Sequence, residues 1–107
     1  MGIFDFLKGP DINQGVQEFN DTVGAFLLDV RTPQEYKNGH IPGSINVPLQ
    51  SIDDVIKVVG DKNAPVFVHC LSGNRSGRAV DLMRTMGYTN VKNIGGISVY
   101  RGTIEKL

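Results

Sequence analysis

One cysteine in this chain stands where a protein can activate a nucleophile. Cys70 ends the apolar run of residues 66–69, and a loop of glycine and small polar residues follows it. A helical pattern then opens at Arg75. This order predicts a strand, a tight loop and a helix N-terminus, so backbone N–H groups and the positive end of the helix dipole point at the sulfur. A thiol in that setting, close to a guanidinium, ionises more easily. We therefore predict that Cys70 is a nucleophile.

The loop after Cys70 has the residue types of an anion-binding site. Gly73 permits a backbone in which successive N–H groups converge on one centre, and Arg75 can cover the open side with its planar fork. Ser72 and Ser76 can donate hydroxyl hydrogen bonds, although Ser76 can also simply begin the helix. The candidate binding residues are Leu71, Ser72, Gly73, Asn74, Arg75 and Ser76.

Alternating strand and helix patterns support this loop. Strands are predicted at residues 25–30, 44–47, 66–69 and 91–94. Helices are predicted after Asp11, from a capping box at residues 32–35, and over residues 51–59 and 75–86, with a last helical segment after Gly96. Such alternation predicts an α/β domain with a mostly parallel sheet, in which ligands bind beyond the carboxyl ends of the strands. Cys70 lies at one such end.

Length and composition indicate one ordinary globular domain. The chain has 107 residues, and we predict a leader at residues 1–10 and a single domain at residues 11–107. The formal net charge is zero, so the total gives no sign of a nucleic-acid partner. Residues 70–107 nevertheless carry 6 Lys/Arg against 2 Asp/Glu, which suits a small anion. Residues 1–7 lack the features of a signal peptide, and no apolar run could span a membrane, so we expect a cytoplasmic protein.

The remaining charged candidates are expected to support the site. Asp29 and Arg31 follow a buried strand, and a buried pair joining the first and central strands is favoured over direct contact with substrate. His40 is read as a hydrogen-bonded turn residue, and His69 as a structural residue of the sheet. Arg78 either extends the positive rim of the loop or lies in solvent. The single cysteine and the absence of a His, Asp and Glu cluster predict no metal and no cofactor.

Three separated motifs carry a resemblance to a known family. Residues 70–76 (CLSGNRS) resemble the active loop of single-domain rhodanese-like sulfurtransferases. Residues 28–36 (LDVRTPQEY) with residues 39–48 (GHIPGSINVP) resemble the first signature of that family, and residues 87–97 its C-terminal part. The resemblance covers about residues 11–101 and departs at Tyr100, where the family usually has tryptophan.

The resemblance implies a five-stranded, doubly wound, mostly parallel sheet flanked by helices. It also implies that Cys70 takes the outer sulfur of thiosulfate or a related donor as a persulfide. The sulfur would pass to cyanide or, in a cell, to a thiol acceptor or an acceptor protein. The loop amides would stabilise the persulfide, and Arg75 would bind the oxygens of the donor.

Two other functions remain open. The same fold includes cell-cycle-type phosphatases and arsenate reductases, and His69 before the cysteine resembles the phosphatases. Those enzymes have five residues between cysteine and arginine, whereas four separate Cys70 from Arg75 here. The shorter loop suits one added sulfur rather than a phosphoryl group. The third possibility is a persulfide carrier or a regulatory module that delivers sulfur only to a partner protein.

Overall fold

The computed structural model of the chain describes residues 9–107. At its centre is a sheet of four parallel strands in the order β2-β1-β3-β4. The strands are β1 (Phe26–Asp29), β2 (Ser44–Asn46), β3 (Val66–Cys70) and β4 (Val91–Gly96). The helices are α1 (Ile12–Asp21), α2 (Pro33–Asn38), α3 (Val55–Val58) and α4 (Asn74–Thr85), with 3-10 segments at Leu49–Asp54 and Ile97–Val99.

Each face of the sheet is covered by its own apolar core. Leu27 and Phe67 face one side, where they pack with Ile12 of α1. Leu28 and Val68, their neighbours along the same strands, face the other side and pack against residues of α3 and α4. Successive side chains of a strand point to opposite faces, so a sheet covered on both sides needs continuous apolar runs. This explains why residues 26–28 and 66–68 are apolar without alternation.

The predicted fold class is confirmed: the domain is α/β, with helices on both faces of a parallel sheet. The sheet has four strands within residues 9–107, rather than the five that the resemblance implies. The four strands coincide with the four runs that the sequence pattern itself predicts. The predicted leader lies mostly at residues 1–8, outside the described residues, and the domain boundary stays a prediction.

Two helix starts follow directly from local sequence. The Asp11 carboxylate accepts a hydrogen bond from the Asn13 N–H at the start of α1. At α2, the Thr32 hydroxyl accepts from the Glu35 N–H while the Glu35 carboxylate accepts from the Thr32 N–H. These contacts satisfy N–H groups that have no partner within the helix. α2 ends at Gly39, as the sequence predicts.

Two helix predictions are wrong in detail. The predicted helix at residues 51–59 is a 3-10 segment followed by the single turn α3, and Ile56 is 53% exposed rather than on the buried face. The predicted helical segment after Gly96 is only the 3-10 turn Ile97–Val99. Residues 100–107 form no helix, and Glu105 and His40 exchange two backbone hydrogen bonds of 2.8 Å. This long-range pairing takes the backbone groups that a helix would have used.

Candidate active site

β3 carries Cys70 to the carboxyl end of the sheet, where the chain turns into α4. All five residues of β3 are buried, and Cys70 itself is 1% exposed. The following residues Leu71, Ser72 and Asn74 are exposed, so the loop projects from a rigid, buried strand. The sulfur therefore lies beneath a surface loop rather than in the open.

Two donors approach the Cys70 sulfur. The Gly73 N–H lies 3.0 Å from Sγ, and the Ser76 hydroxyl oxygen lies 3.3 Å from it. Gly73 has φ +104°, a conformation that favours glycine and that turns its N–H toward the sulfur. Burial by itself raises the pKa of the Cys70 thiol, but hydrogen bonds from the Ser76 side chain and from the backbone of Ser76, Gly73 and Ser72 outweigh it and lower that pKa. The site therefore favours a thiolate.

Gly96 at the end of β4 forms the floor of the loop. A Cβ added to Gly96 would lie 2.2 Å from the Leu71 carbonyl oxygen and 2.5 Å from the Ser72 Cα. The Leu71 carbonyl also accepts a hydrogen bond of 3.1 Å from the Ser98 N–H. The loop thus rests directly on the backbone of β4, which only a residue without a side chain permits at this position.

Arg75 extends from α4 to Glu35 of α2. Its two terminal nitrogens donate to the two carboxylate oxygens at 2.7 and 2.9 Å, with each side chain about one-third exposed. These hydrogen bonds lower the pKa of Glu35 to about 2 and raise the pKa of Arg75. The sequence predicts that Arg75 covers the open side of the loop; the structure places its charge against a carboxylate instead. A guanidinium has more N–H donors than the two that Glu35 occupies, so Arg75 can still bind a further anion.

Asp29 and Arg31 form a buried ion pair, with side chains 0% and 7% exposed. Arg31 donates to Asp29 at 2.7 Å and to the Gly39 carbonyl oxygen at 2.7 Å. The pair therefore also attaches the end of β1 to the end of α2, a contact that the sequence does not suggest. Asp29 also contacts β3, because it pairs with His69 in the sheet and its carboxylate lies 3.7 Å from His69 Nε2.

Three other residues singled out from the sequence, His69, His40 and Arg78, make different contacts. His69 is fully buried, its Nδ1 lies 3.2 Å from the Cys70 carbonyl oxygen, and burial lowers its pKa. His40 stacks on Tyr36 and contacts the Tyr36 carbonyl oxygen through Nδ1 at 2.8 Å. Arg78 is exposed. Of the predicted site residues, Ser72, Gly73 and Ser76 are thus the ones whose polar groups the fold brings to the sulfur.

Sequence patterns alone do not predict the contacts that Glu35, Asn93 and Gly96 make in this site. Glu35 is visible in the sequence only as part of a capping box, yet it also binds Arg75. Gly96 is visible only as a turn residue. Asn93 hydrogen-bonds both Gly73 and Ser76 from β4, and its position within a short predicted strand gives no signal of that role.

Residues 9–107 contain no group of three or more His, Cys, Asp or Glu side chains arranged to bind a metal ion. Within the same residues, no helix is long and apolar enough to cross a membrane. The expectations of no metal and no cofactor remain predictions from the sequence.

Known proteins resemble the chain in sequence and in fold. It is 42% identical over 71 residues to thiosulfate sulfurtransferase PspE of Escherichia coli, covering 65% of this chain and 68% of that protein. It is 34% identical to a putative mitochondrial thiosulfate sulfurtransferase of Schizosaccharomyces pombe, covering 90% of this chain and 74% of that protein. A solved structure of a rhodanese with anions from E. coli superposes with a TM-score of 0.72 at 37% identity, covering 77% of this chain and 98% of that one.

The profile of the rhodanese-like domain matches residues 13–103, which include the Cys70 loop, the Asp29–Arg31 pair and Gly96. With nearly the whole described fold inside that match, the chain belongs to the rhodanese-like domain family.

Proposed function

We propose that the chain is a sulfurtransferase that moves a sulfane sulfur from thiosulfate, or a related small anionic donor, through a persulfide on Cys70. The observation that carries the proposal is the environment of the sulfur, with the Gly73 N–H at 3.0 Å and the Ser76 hydroxyl at 3.3 Å. These donors favour a thiolate before the reaction and stabilise a negative persulfide after it.

The first half-reaction balances without an external oxidant. The Cys70 thiolate attacks the outer sulfur of thiosulfate and forms a new S–S bond. The S–S bond of thiosulfate breaks, and sulfite leaves with its electron pair. Amides of residues 71–76 bind the persulfide, and the free N–H groups of Arg75 hold the donor's oxygens.

The second half-reaction returns the enzyme to its starting state. Cyanide or a thiolate attacks the outer sulfur of the persulfide, and the Cys70 thiolate leaves. A thiol acceptor, free or on a partner protein, suits a reducing cytoplasmic compartment, which also keeps Cys70 from being oxidised.

Two observations favour sulfur transfer over phosphate or arsenate chemistry. Four residues separate Cys70 from Arg75, one fewer than in the phosphatases and arsenate reductases, and the shorter loop suits one added sulfur on Cys70 rather than a phosphoryl group bound to it. His69, the residue that most resembles the phosphatases, is fully buried and contacts the Cys70 carbonyl rather than the sulfur. A carrier that passes sulfur only to a partner protein would need the same thiolate site, and so remains the second candidate.

Intact mass measurement tests the proposal directly. The reduced protein is incubated with thiosulfate, and we expect a gain of one sulfur that a thiol reductant removes. Cys70→Ser is the control and should gain nothing. No gain in the wild type, or a gain that persists in Cys70→Ser, rejects the proposal.

Two activity assays separate the alternatives. Hydrolysis of an aryl phosphate that disappears in Cys70→Ser would identify a phosphatase. Slow turnover with small thiols, together with rapid sulfur transfer to a co-purifying protein, would identify a carrier. Efficient turnover with cyanide or small thiols supports the sulfurtransferase.

A further inference from the structure

Asn93 on β4 contacts two of the residues that hydrogen-bond the Cys70 sulfur. Its side-chain Nδ2 donates to the Gly73 carbonyl oxygen at 3.1 Å. Its Oδ1 accepts from the Ser76 hydroxyl at 2.8 Å. One amide side chain therefore holds the Gly73 peptide and the Ser76 side chain in place at the same time.

A bulge in β4 aims this side chain at the loop. Val68 of β3 pairs with Asn93, and the next residue, His69, pairs with Gly95, so Ile94 is an extra residue in β4. The Asn93 Oδ1 also accepts a hydrogen bond of 3.0 Å from the Gly95 N–H, within the bulge itself. Bulges beside active sites commonly redirect a side chain, and this one turns Asn93 toward α4.

The orientation of the amide is determined by two backbone groups. The Gly73 carbonyl can only accept, so the atom facing it is the nitrogen. The Gly95 N–H can only donate, so the atom facing it is the oxygen. The Asn93 oxygen must therefore face Ser76, and the short contact requires the Ser76 hydroxyl to be the donor.

Ser76 has one hydroxyl hydrogen and three acceptors within reach. The Asn93 oxygen lies 2.8 Å away, the Gly73 carbonyl oxygen 3.1 Å away and the Cys70 sulfur 3.3 Å away. A neutral thiol is a weak acceptor, whereas a thiolate is a strong one. The hydrogen therefore favours Asn93 when Cys70 is a thiol, and the sulfur when Cys70 is charged.

We propose that Asn93 is a positioning residue for Cys70, acting through the Ser76 hydroxyl and the Gly73 peptide. Its amide holds the Ser76 hydrogen while Cys70 is a thiol and yields it to the sulfur when Cys70 is a thiolate or persulfide. When Cys70 ionises, its own proton leaves to water and the Ser76 O–H bond rotates without breaking. The inference rests on the proposed function, in which Cys70 is the sulfur that reacts.

Charged side chains also flank the Cys70 loop and Asn93, and among residues 9–107 none of them hydrogen-bonds the side chain of Asn93 or Ser76. They are Arg75 of α4 with its partner Glu35, the buried pair Asp29 and Arg31, His69 of β3, and Lys92 of β4, which pairs with Glu18. The hydroxyl and amide therefore form a separate, uncharged connection to the sulfur.

Asn93→Asp tests the proposal with little change of shape. The carboxylate cannot donate to Gly73, retains the Ser76 hydrogen more strongly and adds a negative charge near the sulfur. All of these effects disfavour the thiolate, so we expect alkylation of Cys70 by iodoacetamide at neutral pH to slow by about tenfold. The pH profile of alkylation should move upward, which loss of packing alone would not predict.

A double-mutant cycle shows whether Asn93 acts through Ser76. In a Ser76→Ala background, Asn93→Asp should slow alkylation by a clearly smaller factor, because no hydroxyl hydrogen remains to be retained. Asn63→Asp is the matched control, since Asn63 precedes the opposite end of β3 and hydrogen-bonds Thr89. An unchanged alkylation rate in Asn93→Asp, or the same factor in both backgrounds, overturns the proposal.

A measurement on the wild-type protein tests the proposal without any substitution. The side-chain amide resonances of Asn93 in a ¹⁵N-labelled sample should shift with pH at the midpoint of Cys70 alkylation. Resonances that stay constant across that midpoint overturn the proposal. These results can be distinguished from failure of the proposed function. If the protein is not a sulfurtransferase, thiosulfate adds no mass, but the Cys70 thiol still titrates and its titration still depends on Asn93.

Discussion

Burial and hydrogen bonding shift the pKa of the Cys70 thiol in opposite directions. Burial raises its pKa, and donors from Ser76, Gly73 and Ser72 lower it by more. We expect the pH midpoint of alkylation in the folded protein to lie below that of the same thiol in denaturant. The pKa of Cys70 is lower in the folded than in the unfolded protein, so its ionisation stabilises the folded state at pH values above the pKa of the unfolded protein. This stabilisation is lost as the pH falls through the pKa of the folded protein.

Rates of iodoacetamide alkylation across the pH range, with and without denaturant, measure this difference. Ser76→Ala should move the folded midpoint upward, because it removes a donor to the thiolate. Equal midpoints in the folded and unfolded protein would contradict the predicted thiolate site.

Arg75 combines a structural contact with the proposed binding of the donor. Arg75→Ala should weaken the apparent affinity for thiosulfate by about tenfold, because charge-assisted hydrogen bonds to the donor's oxygens are lost. Arg78→Ala, one helical turn further along and exposed, is the matched control and should bind as the wild type does.

The freed carboxylate of Glu35 would also repel an anion, and Arg75→Ala with Glu35→Gln separates the two effects. If the double variant regains wild-type affinity, Arg75 only neutralises Glu35 and does not bind the donor. Kinetics with varied thiosulfate, with thermal unfolding as the check on the fold, distinguish these results.

At the scale of elements, the contact between β4 and the active loop leaves no room for a side chain. Gly96→Ala would place a methyl group 2.2 Å from the Leu71 carbonyl oxygen, which belongs to backbone and cannot rotate away. We expect a loss of about 2 kcal/mol or more in the free energy of unfolding, and slower formation of the persulfide as the loop moves.

Gly60→Ala is the matched control for that substitution. A Cβ on Gly60 meets no atom within 4 Å, so its stability should change by less than about 1 kcal/mol. Denaturant unfolding compares the two variants. A Gly96→Ala protein as stable and as active as the wild type would show that the loop does not need this close support.

The ion pair of Arg75 and Glu35 connects α4 to α2, 40 residues apart in the chain. Its stabilising effect should depend on pH, because the pair lowers the pKa of Glu35 from 4.5 to about 2. Because the pKa of Glu35 is lowered in the folded protein, the ion pair stabilises the folded state above pH 4.5, and this stabilisation is lost as the pH falls toward 2. Glu35→Gln should therefore unfold at a lower temperature than the wild type near neutral pH, and at a similar temperature near pH 2.

The expected difference is below about 1 kcal/mol, because solvent reaches part of both side chains and screens the charges. Thermal unfolding of both proteins across the pH range measures it. A glutamine side chain can also form the capping box, so Glu35→Gln retains that contact and removes only the charge. A difference that stays constant from neutral pH to pH 2 would contradict the ion pair as its source.

At the scale of the whole molecule, the sheet supports the site because both of its faces are packed. Leu27 and Phe67 contact one core, and Leu28 and Val68 contact the other. Cys70 thus extends from a strand that packing holds on both sides, while the exposed loop beyond it remains open to substrates. A rigid strand that carries an accessible loop is the usual support for catalytic residues in α/β domains.

The sequence by itself determined the features that depend on neighbouring residues. The strand runs follow from side chains that alternate between two packed faces, and the start of α2 follows from a capping box only four residues long. The surroundings of the Cys70 sulfur are also evident locally in part, because Cys70, Gly73 and Ser76 lie within one loop and the first turn of α4. Resemblance to the family then supplied the chemistry, although its five strands exceed the four in residues 9–107.

Only the tertiary structure decided the contacts between residues distant in the chain. Arg75 lies 40 residues from Glu35, and Ser76 lies 17 residues from Asn93. Such pairs form where the fold brings two elements to the same end of the sheet, and no local propensity selects one carboxylate or amide over the others. The same reason explains the C-terminal segment, where pairing of Glu105 with His40 replaces the predicted helix. Local sequence places Cys70 and its hydrogen-bond donors at the end of a strand; the packing of distant elements supplies Asn93 and Glu35, which hold those donors and Arg75.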